Sequence, residues 1–241
     1  MVKRDTLWEG GYSFYFDDEL FQPSTDSFVL SAFPRLKSGE RVCDLGCGSG
    51  LLGILLLGRE PNLFVTGVDI QSDPLALARR AAEENGLAER LTFHQADLRA
   101  LKGVLEANSF DLVISNPPYF RAGSGYEAAG TSRQTAREEK DCTIEDVCAA
   151  AARLLRFGGR FAVVFRPERL ADLICAMRQV KLEPKTLRFV HHRPESTPSL
   201  ILVEGKLGGK SGLTIAPPLI LHHSDGTPSE EMNEIYFRTR S

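Results

Sequence analysis

The chain has 241 residues, 42% of them hydrophobic and 25% charged, with a formal net charge of −3. That composition is ordinary for a globular protein with a sizeable core. It excludes a polycation, so any nucleic acid must be met by a local basic patch. Five cysteines, Cys43, Cys47, Cys142, Cys148 and Cys175, are odd in number and lack a regular framework, and they read as free thiols in a reducing compartment. No apolar h-region follows Met1, and the longest apolar run, 51–57, is far too short for a bilayer. A cytoplasmic chain without a membrane partner is the expectation.

The first unit, 1–40, reads as a cap segment. It carries Trp8, Tyr12, Phe14, Tyr15, Phe16 and Phe21, then a helical pattern over 27–33. Regular alternation begins at Arg41. RVCDL at 41–45 predicts a strand, 46–50 a glycine-rich turn, and 51–59 an apolar helix. LFVTGVD at 63–69 predicts a second strand. The helix over 74–85 has Asp73 as its N-cap, Pro74 in its first turn and Gly86 at its end. A strand at 91–96, a helix at 98–107 and a strand at 110–115 follow. From Asn116 to about Lys140 the periodicity breaks, and loops of that length are commonly functional. A helix over 143–157 is expected to end at Gly158-Gly159. Then come a strand at 160–166, a helix at 167–180 and closing strands at 182–192 and 199–204. The tail from 207 holds prolines and few apolar periods. It is expected to pack on the surface or to lack full order.

Strands alternating with helices predict an α/β fold with a doubly wound, seven-stranded, mostly parallel sheet. The expected domain covers 41–206, with 1–40 as a short N-terminal extension and 207–241 as a tail packed on or extending from it. Ligands in such sheets bind beyond the carboxyl ends of the strands, at the switch point of strand order. The residues just after each strand are therefore the ones to examine.

After the first strand of the domain stands Asp44-Leu45-Gly46-Cys47-Gly48-Ser49-Gly50. The spacing is G-x-G-x-G, not the G-x-G-x-x-G of dinucleotide folds. An acidic residue before the turn suits a cationic ligand end better than a phosphate. Asp69 closes the next strand, where a carboxylate accepts hydrogen bonds from ribose hydroxyls. Asp97-Leu98 follows the third, placed for an adenine amine and a ring nitrogen. Together the three carboxylates describe a site for an adenosine that carries a positive group.

DLGCGSG, then VDI, then AD at successive strand ends resembles the Class I (Rossmann-like) methyltransferases over about 41–204. The resemblance implies S-adenosyl-L-methionine as cofactor and S-adenosyl-L-homocysteine as product. It implies contacts from Asp44, Gly46, Cys47, Gly48, Gly50, Asp69, Ile70, Asp97 and Leu98, with Asp44 at the amino-acid end, Asp69 at the ribose and Asp97 at the adenine.

The fourth strand is followed by Asn116-Pro117-Pro118-Tyr119. An exocyclic amine on a base is a poor nucleophile, because its lone pair is delocalised into the ring. Acceptors aimed at its two protons draw it toward tetrahedral geometry. The Asn116 side-chain oxygen and the Pro117 carbonyl are such acceptors. Pro117 and Pro118 stiffen the loop, and Tyr119 offers a face on which a base can stack. NPPY resembles the signature of enzymes that methylate planar nitrogens: adenine in DNA, adenine or guanine in RNA, and glutamine in release factors.

A short segment before the first strand and no room for a target-recognition domain resemble the family that methylates N6 of adenine 37 in tRNA-Val. FQPSTDSFVL at 21–30 resembles that family's segment closing over the cofactor, with Thr25 and Asp26 as its Thr-Asp pair. Thr135-Ala136-Arg137-Glu138 resembles its A-R-x-E segment. The resemblance implies the anticodon stem-loop of a tRNA as partner, met by Tyr119, Arg121, Arg133, Arg137 and Lys140. No metal is expected: neither His191-His192 nor His222-His223 has ligand spacing. Glutamine methylation of release-factor type, guanine-N2 methylation of ribosomal RNA, and a cofactor-binding scaffold without turnover are the competing readings.

Overall fold

The computed structural model describes residues 1–17, 24–117 and 142–239. The chain opens with an antiparallel hairpin of β1 (Val2–Thr6) and β2 (Ser13–Asp17). It is docked on a helix end: the Ser13 N–H donates to Asn85 Oδ1 at 2.8 Å, and Tyr15 O–H donates to Glu84. After α1 (Thr25–Ala32), strand and helix alternate as β3 (Arg41–Leu45), α2 (Leu51–Arg59), β4 (Phe64–Asp69), α3 (Ser72–Glu84), β5 (Leu91–Gln95), β6 (Phe110–Ser115), α4 (Ile144–Leu154) and β7 (Leu155–Phe165). Then follow α5 (Leu170–Gln179), β8 (Leu182–His191), β9 (Pro198–Leu207), β10 (Thr214–Ile215), β11 (Leu219–Ile220) and α6 (Glu230–Ile235).

The main sheet runs β10-β8-β9-β7-β6-β3-β4-β5, with β11 also paired to β8. β5, β4, β3, β6 and β7 are mutually parallel, and β9 lies antiparallel between β7 and β8. The strands carry apolar residues on both faces, as a helix-covered parallel sheet requires. Val42, Leu112, Ile114, Ala162 and Val164 join the cluster under the hairpin, α1, α2 and α6, whereas Cys43, Leu45, Val113, Phe161 and Val163 join the one under α4 and α5. Among the described residues no helix is long and apolar enough to cross a membrane.

The expected doubly wound sheet is present, with differences of detail. Seven long strands are joined by two short ones from the tail, making nine. β8 would otherwise be an edge strand, and its open peptide groups take the tail as partners. The helix expected over 98–107 is one 3-10 turn, Leu98–Ala100. Gly103 (φ 84°) and Asn108 (φ 57°) then turn left-handed, which ends any helix. α4 stops at Leu154, before the expected Phe157. β7 begins at once, pairing Leu155 with Phe110, and the glycine pair bends the strand beside a register shift. Asp73 sits in the first turn of α3, and Gln71 is the N-cap.

The described part of the tail, through residue 239, enters the core. The Tyr236 ring stacks on Phe28 with centroids 4.1 Å apart and planes 2° apart, and its hydroxyl donates to Thr25 Oγ1 at 3.1 Å. Arg59 donates to the Ile235 carbonyl at 2.7 Å and to Ser31 Oγ at 3.0 Å. Phe237 is 1% exposed, 5.2 Å from Trp8 between ring centroids. The tail thus clamps α1 onto α2. Tyr236→Ala is expected to cost about 2 kcal/mol, the order for a half-buried aromatic losing its stack. Chemical denaturation checks this; an unchanged midpoint would mean that the tail does not hold α1.

Candidate active site

The order of strands reverses between β3 and β6, since β4 and β5 extend to one side of β3 and β6 and β7 to the other. The crevice outside the carboxyl ends of β3 and β6 is therefore the expected ligand site. Register assembles it. Asp44 faces Gly67 on β4 and Ile114 on β6, and Asp69 faces Gln95 on β5. Two residues beyond each partner stand Asp69, Asn116 and Asp97, so the acidic set and the asparagine share one edge.

The glycine turn needs left-handed backbone at three positions: Gly46 (φ 76°), Gly48 (φ 52°) and Gly50 (φ 76°). L-residues rarely adopt these angles. Gly46 and Cys47 donate to the Val68 carbonyl at 2.8 and 3.0 Å, which fastens the turn to β4. Cys47 is 7% exposed and its sulfur lies against Gly67, where a Cβ would come within 2.7 Å. Burial first, and then Asp44, push its thiol well above the usual range. It packs as a small apolar side chain. Beyond Gly46 and Gly48 the positions a Cβ would fill have nothing within 4 Å, so the turn presents open backbone.

Asp44 is 1% exposed and its Oδ2 has no hydrogen-bond partner. Burial, with Asp69 as a second cause, raises its pKa to about 8. An orphaned carboxylate oxygen of this kind calls for a cation. Asp69 accepts from the Gly48 N–H at 2.7 Å through Oδ2 and from the Gln71 N–H at 2.9 Å through Oδ1. It holds the turn in place, and each oxygen retains a lone pair for a hydroxyl donor. Ile70 beside it is 37% exposed. A donor set of one orphaned carboxylate, one turn-holding carboxylate and open backbone fits an adenosine with a cationic side.

Asp97 is differently placed. Its Oδ1 accepts from the Arg99 N–H at 2.9 Å, and its Oδ2 lies 2.7 Å from the Arg99 guanidinium. That pair lowers its pKa, with the side-chain hydrogen bond as the largest cause. The exposed guanidinium covers part of this carboxylate, and turning it aside costs about 1 kcal/mol or less. Leu98 is half-buried against the α4 side of the sheet.

Asn116 is half-buried and Pro117 buried at the end of β6. Ser115, 1% exposed, donates from Oγ to the Leu45 carbonyl at 2.7 Å and ties the end of β6 to the end of β3. Asn116 Nδ2 donates to Ser27 Oγ at 3.2 Å. Thr25, Asp26 and Ser27 open α1, so the segment expected to close over the cofactor meets the asparagine. Sequence reasoning missed Ser27 and Ser115, although each is next to a residue it named. Pro118, Tyr119, Arg121, Arg133, Arg137 and Lys140 lie outside the described residues, as does Phe21.

A family described as "Methyltransferase domain" matches residues 36–202. A tRNA1(Val) (adenine(37)-N6)-methyltransferase of Porphyromonas gingivalis is 30% identical over 218 residues, covering 86% of this chain and 84% of that one. Its counterpart in Yersinia pseudotuberculosis is 27% identical over 241 residues, covering 98% and 94%. Among solved structures, a predicted O-methyltransferase from Agrobacterium tumefaciens aligns with a TM-score of 0.74 at 23% identity, covering 88% of this chain and 96% of that one. A geranyl diphosphate methyltransferase in complex with SAM aligns at 0.55 and 17%, covering 75% and 83%; both share the fold. With the family match, the relatives and the cofactor crevice in agreement, the chain belongs to the methyltransferase-domain family, as an S-adenosylmethionine-dependent N-methyltransferase in the family of the tRNA1(Val) (adenine(37)-N6)-methyltransferases.

Proposed function

We propose that the chain transfers a methyl group to N6 of an adenine in RNA, with adenine 37 in the anticodon loop of tRNA-Val as its target. The observation that carries this reading is Asn116-Pro117 at the end of β6, beside the glycine turn, in a chain whose relatives bear that name. When bound, S-adenosylmethionine supplies an electrophilic methyl group on a sulfonium. Asp44 takes the charged amino-acid end, Asp69 the ribose hydroxyls, and Asp97 with Leu98 the adenine ring. Thr25, Asp26 and Ile70 wall the site.

The target amine donates hydrogen bonds through its two N–H groups to the Asn116 side-chain oxygen and the Pro117 carbonyl. That pairing frees the nitrogen lone pair from the ring and aims it. No strong base is needed before attack, because the nitrogen becomes acidic only once methylated, and its surplus proton then passes to water. Catalysis is then positioning and preorganised electrostatics. Pro118 stiffens the loop, Tyr119 stacks on the base, and Arg121, Arg133, Arg137 and Lys140 meet RNA phosphates. An anticodon-loop base is already partly unstacked, so extruding it costs little. Residues 41–206 carry the chemistry, 1–40 and 207–241 brace it, and the cytoplasm is where such a substrate resides.

The protein incubated with methyl-labelled cofactor and a tRNA-Val transcript is expected to label adenine 37. A transcript with guanine in place of that adenine should take no label. Label appearing on a release-factor fragment instead, with none on any tRNA, would move the target to a glutamine amide.

A further inference from the structure

We infer that Ser27 is a positioning residue for methyl transfer: its hydroxyl holds the Asn116 side chain in the place from which it faces the target nitrogen. The inference rests on the proposed role of Asn116. A primary amide has an accepting oxygen and a donating nitrogen of nearly the same size. The chemistry uses only the oxygen. With the nitrogen turned inward, the amide would present protons to an amine that must itself donate, and the site would repel its substrate. Shape alone does not choose between the two orientations, so the polar contacts around the amide must hold it.

Ser27 supplies one such contact. Its Oγ accepts from Asn116 Nδ2 at 3.2 Å, across 89 residues of sequence. In this arrangement the nitrogen end faces α1 and the oxygen end is turned away from it. Ser27 is 4% exposed, so water does not compete for its hydroxyl. The backbone of the same loop is held independently, through Ser115 Oγ on the Leu45 carbonyl at 2.7 Å.

The helix that carries Ser27 is itself immobilised from outside the crevice. Tyr236 stacks on Phe28 and donates to Thr25 Oγ1, and Arg59 donates to Ser31 Oγ. The three contacts fall on both sides of Ser27 in sequence. A chain of contacts therefore runs from the C-terminal tail through α1 to the asparagine. The tail is remote from the chemistry, yet it braces the helix that contacts the asparagine.

The full-length protein with Ser27→Val or Ser27→Thr tests this, because the two side chains have the same shape and differ by the hydroxyl. Both are compared with Asn116→Ala on the tRNA-Val transcript. Ser27→Val is expected to lower kcat about tenfold, with cofactor Kd and Tm equal to those of Ser27→Thr. Ser27→Thr should keep most of the native kcat. In the Asn116→Ala background the difference between the two should vanish. A readout without substrate accompanies these: the Asn116 side-chain NH2 signal in nitrogen NMR, assigned by its loss in Asn116→Ala. It should exchange slowly in the native protein and Ser27→Thr and faster in Ser27→Val.

Equal kcat and equal amide exchange in the two Ser27 variants, with Asn116→Ala inactive, would overturn the role of Ser27 alone. Native turnover by Asn116→Ala would overturn the role of the asparagine, and this inference with it. If no variant, native included, labels the transcript, the RNA target fails, and the amide signal still decides whether Ser27 orients Asn116.

Discussion

Asn116→Ala is expected to lower turnover by about 10²–10³-fold while leaving cofactor affinity within about threefold. The side chain is half-buried at the end of β6 and is held by Ser27. In the proposed reaction it accepts a hydrogen bond from the reacting amine, an interaction that strengthens as the nitrogen becomes tetrahedral. Groups of that kind act on kcat more than on ground-state binding. The truncation leaves Ser115 on the Leu45 carbonyl, so the loop backbone stays in place. Asn116→Asp separates charge from shape, and it should be partly active, since it keeps an acceptor. Steady-state kinetics on the tRNA-Val transcript, with calorimetric titration of cofactor, provides the check. Equal loss of kcat and of cofactor affinity would mean that the residue builds the cofactor site and not the catalytic one.

The second large effect belongs to Asp44. Cofactor affinity is expected to rise with pH between about 6 and about 8 and to level off above, approaching tenfold per unit where the carboxyl is mostly protonated. The reason is burial, which with Asp69 lifts its pKa to about 8 in the cofactor-free protein. A cationic ligand binds the ionised form, so binding at lower pH must first release a proton. Stability follows the opposite course. The folded pKa lies above the ordinary carboxylate value, so the neutral carboxyl favours the fold below about pH 4, and this contribution is lost as pH climbs toward 8.

Asp44→Asn removes the titration. It should stabilise the cofactor-free protein at pH 8 by on the order of 2–4 kcal/mol, weaken cofactor binding by about 10²-fold, and flatten the pH dependence. Titrations at four pH values with melting curves at the same points measure all three. Affinity independent of pH in the native protein would show that Asp44 meets no cation.

Much of the site is legible in the sequence because its parts are local. Glycines at 46, 48 and 50 are needed where the backbone turns left-handed, and the structure has all three at positive φ. Asp69 and Asn116 end runs whose apolar character marks buried strands, so their place at the carboxyl edge follows from the alternation of strand and helix. The errors are also local in cause. A glycine pair reads as a helix stop, yet Gly158-Gly159 bends a strand that had already begun at Leu155. Apolar residues over 98–107 read as a helix, yet Asp97 caps a single turn that left-handed residues then end.

The sequence by itself determined the doubly wound sheet, the order of the cofactor edge and the family, because each rests on spacing within a few residues. The tertiary structure alone decided three things. Arg99 covers Asp97, Ser27 meets Asn116, and the tail reaches back from Tyr236 to Phe28. The last two join segments far apart in the chain, and a polar pair or a ring stack at such separation leaves no periodic trace in the sequence. Arg99 is only two residues from Asp97, but an exposed arginine has many rotamers. Which one it takes is set by the carboxylate it finds, not by its neighbours in sequence.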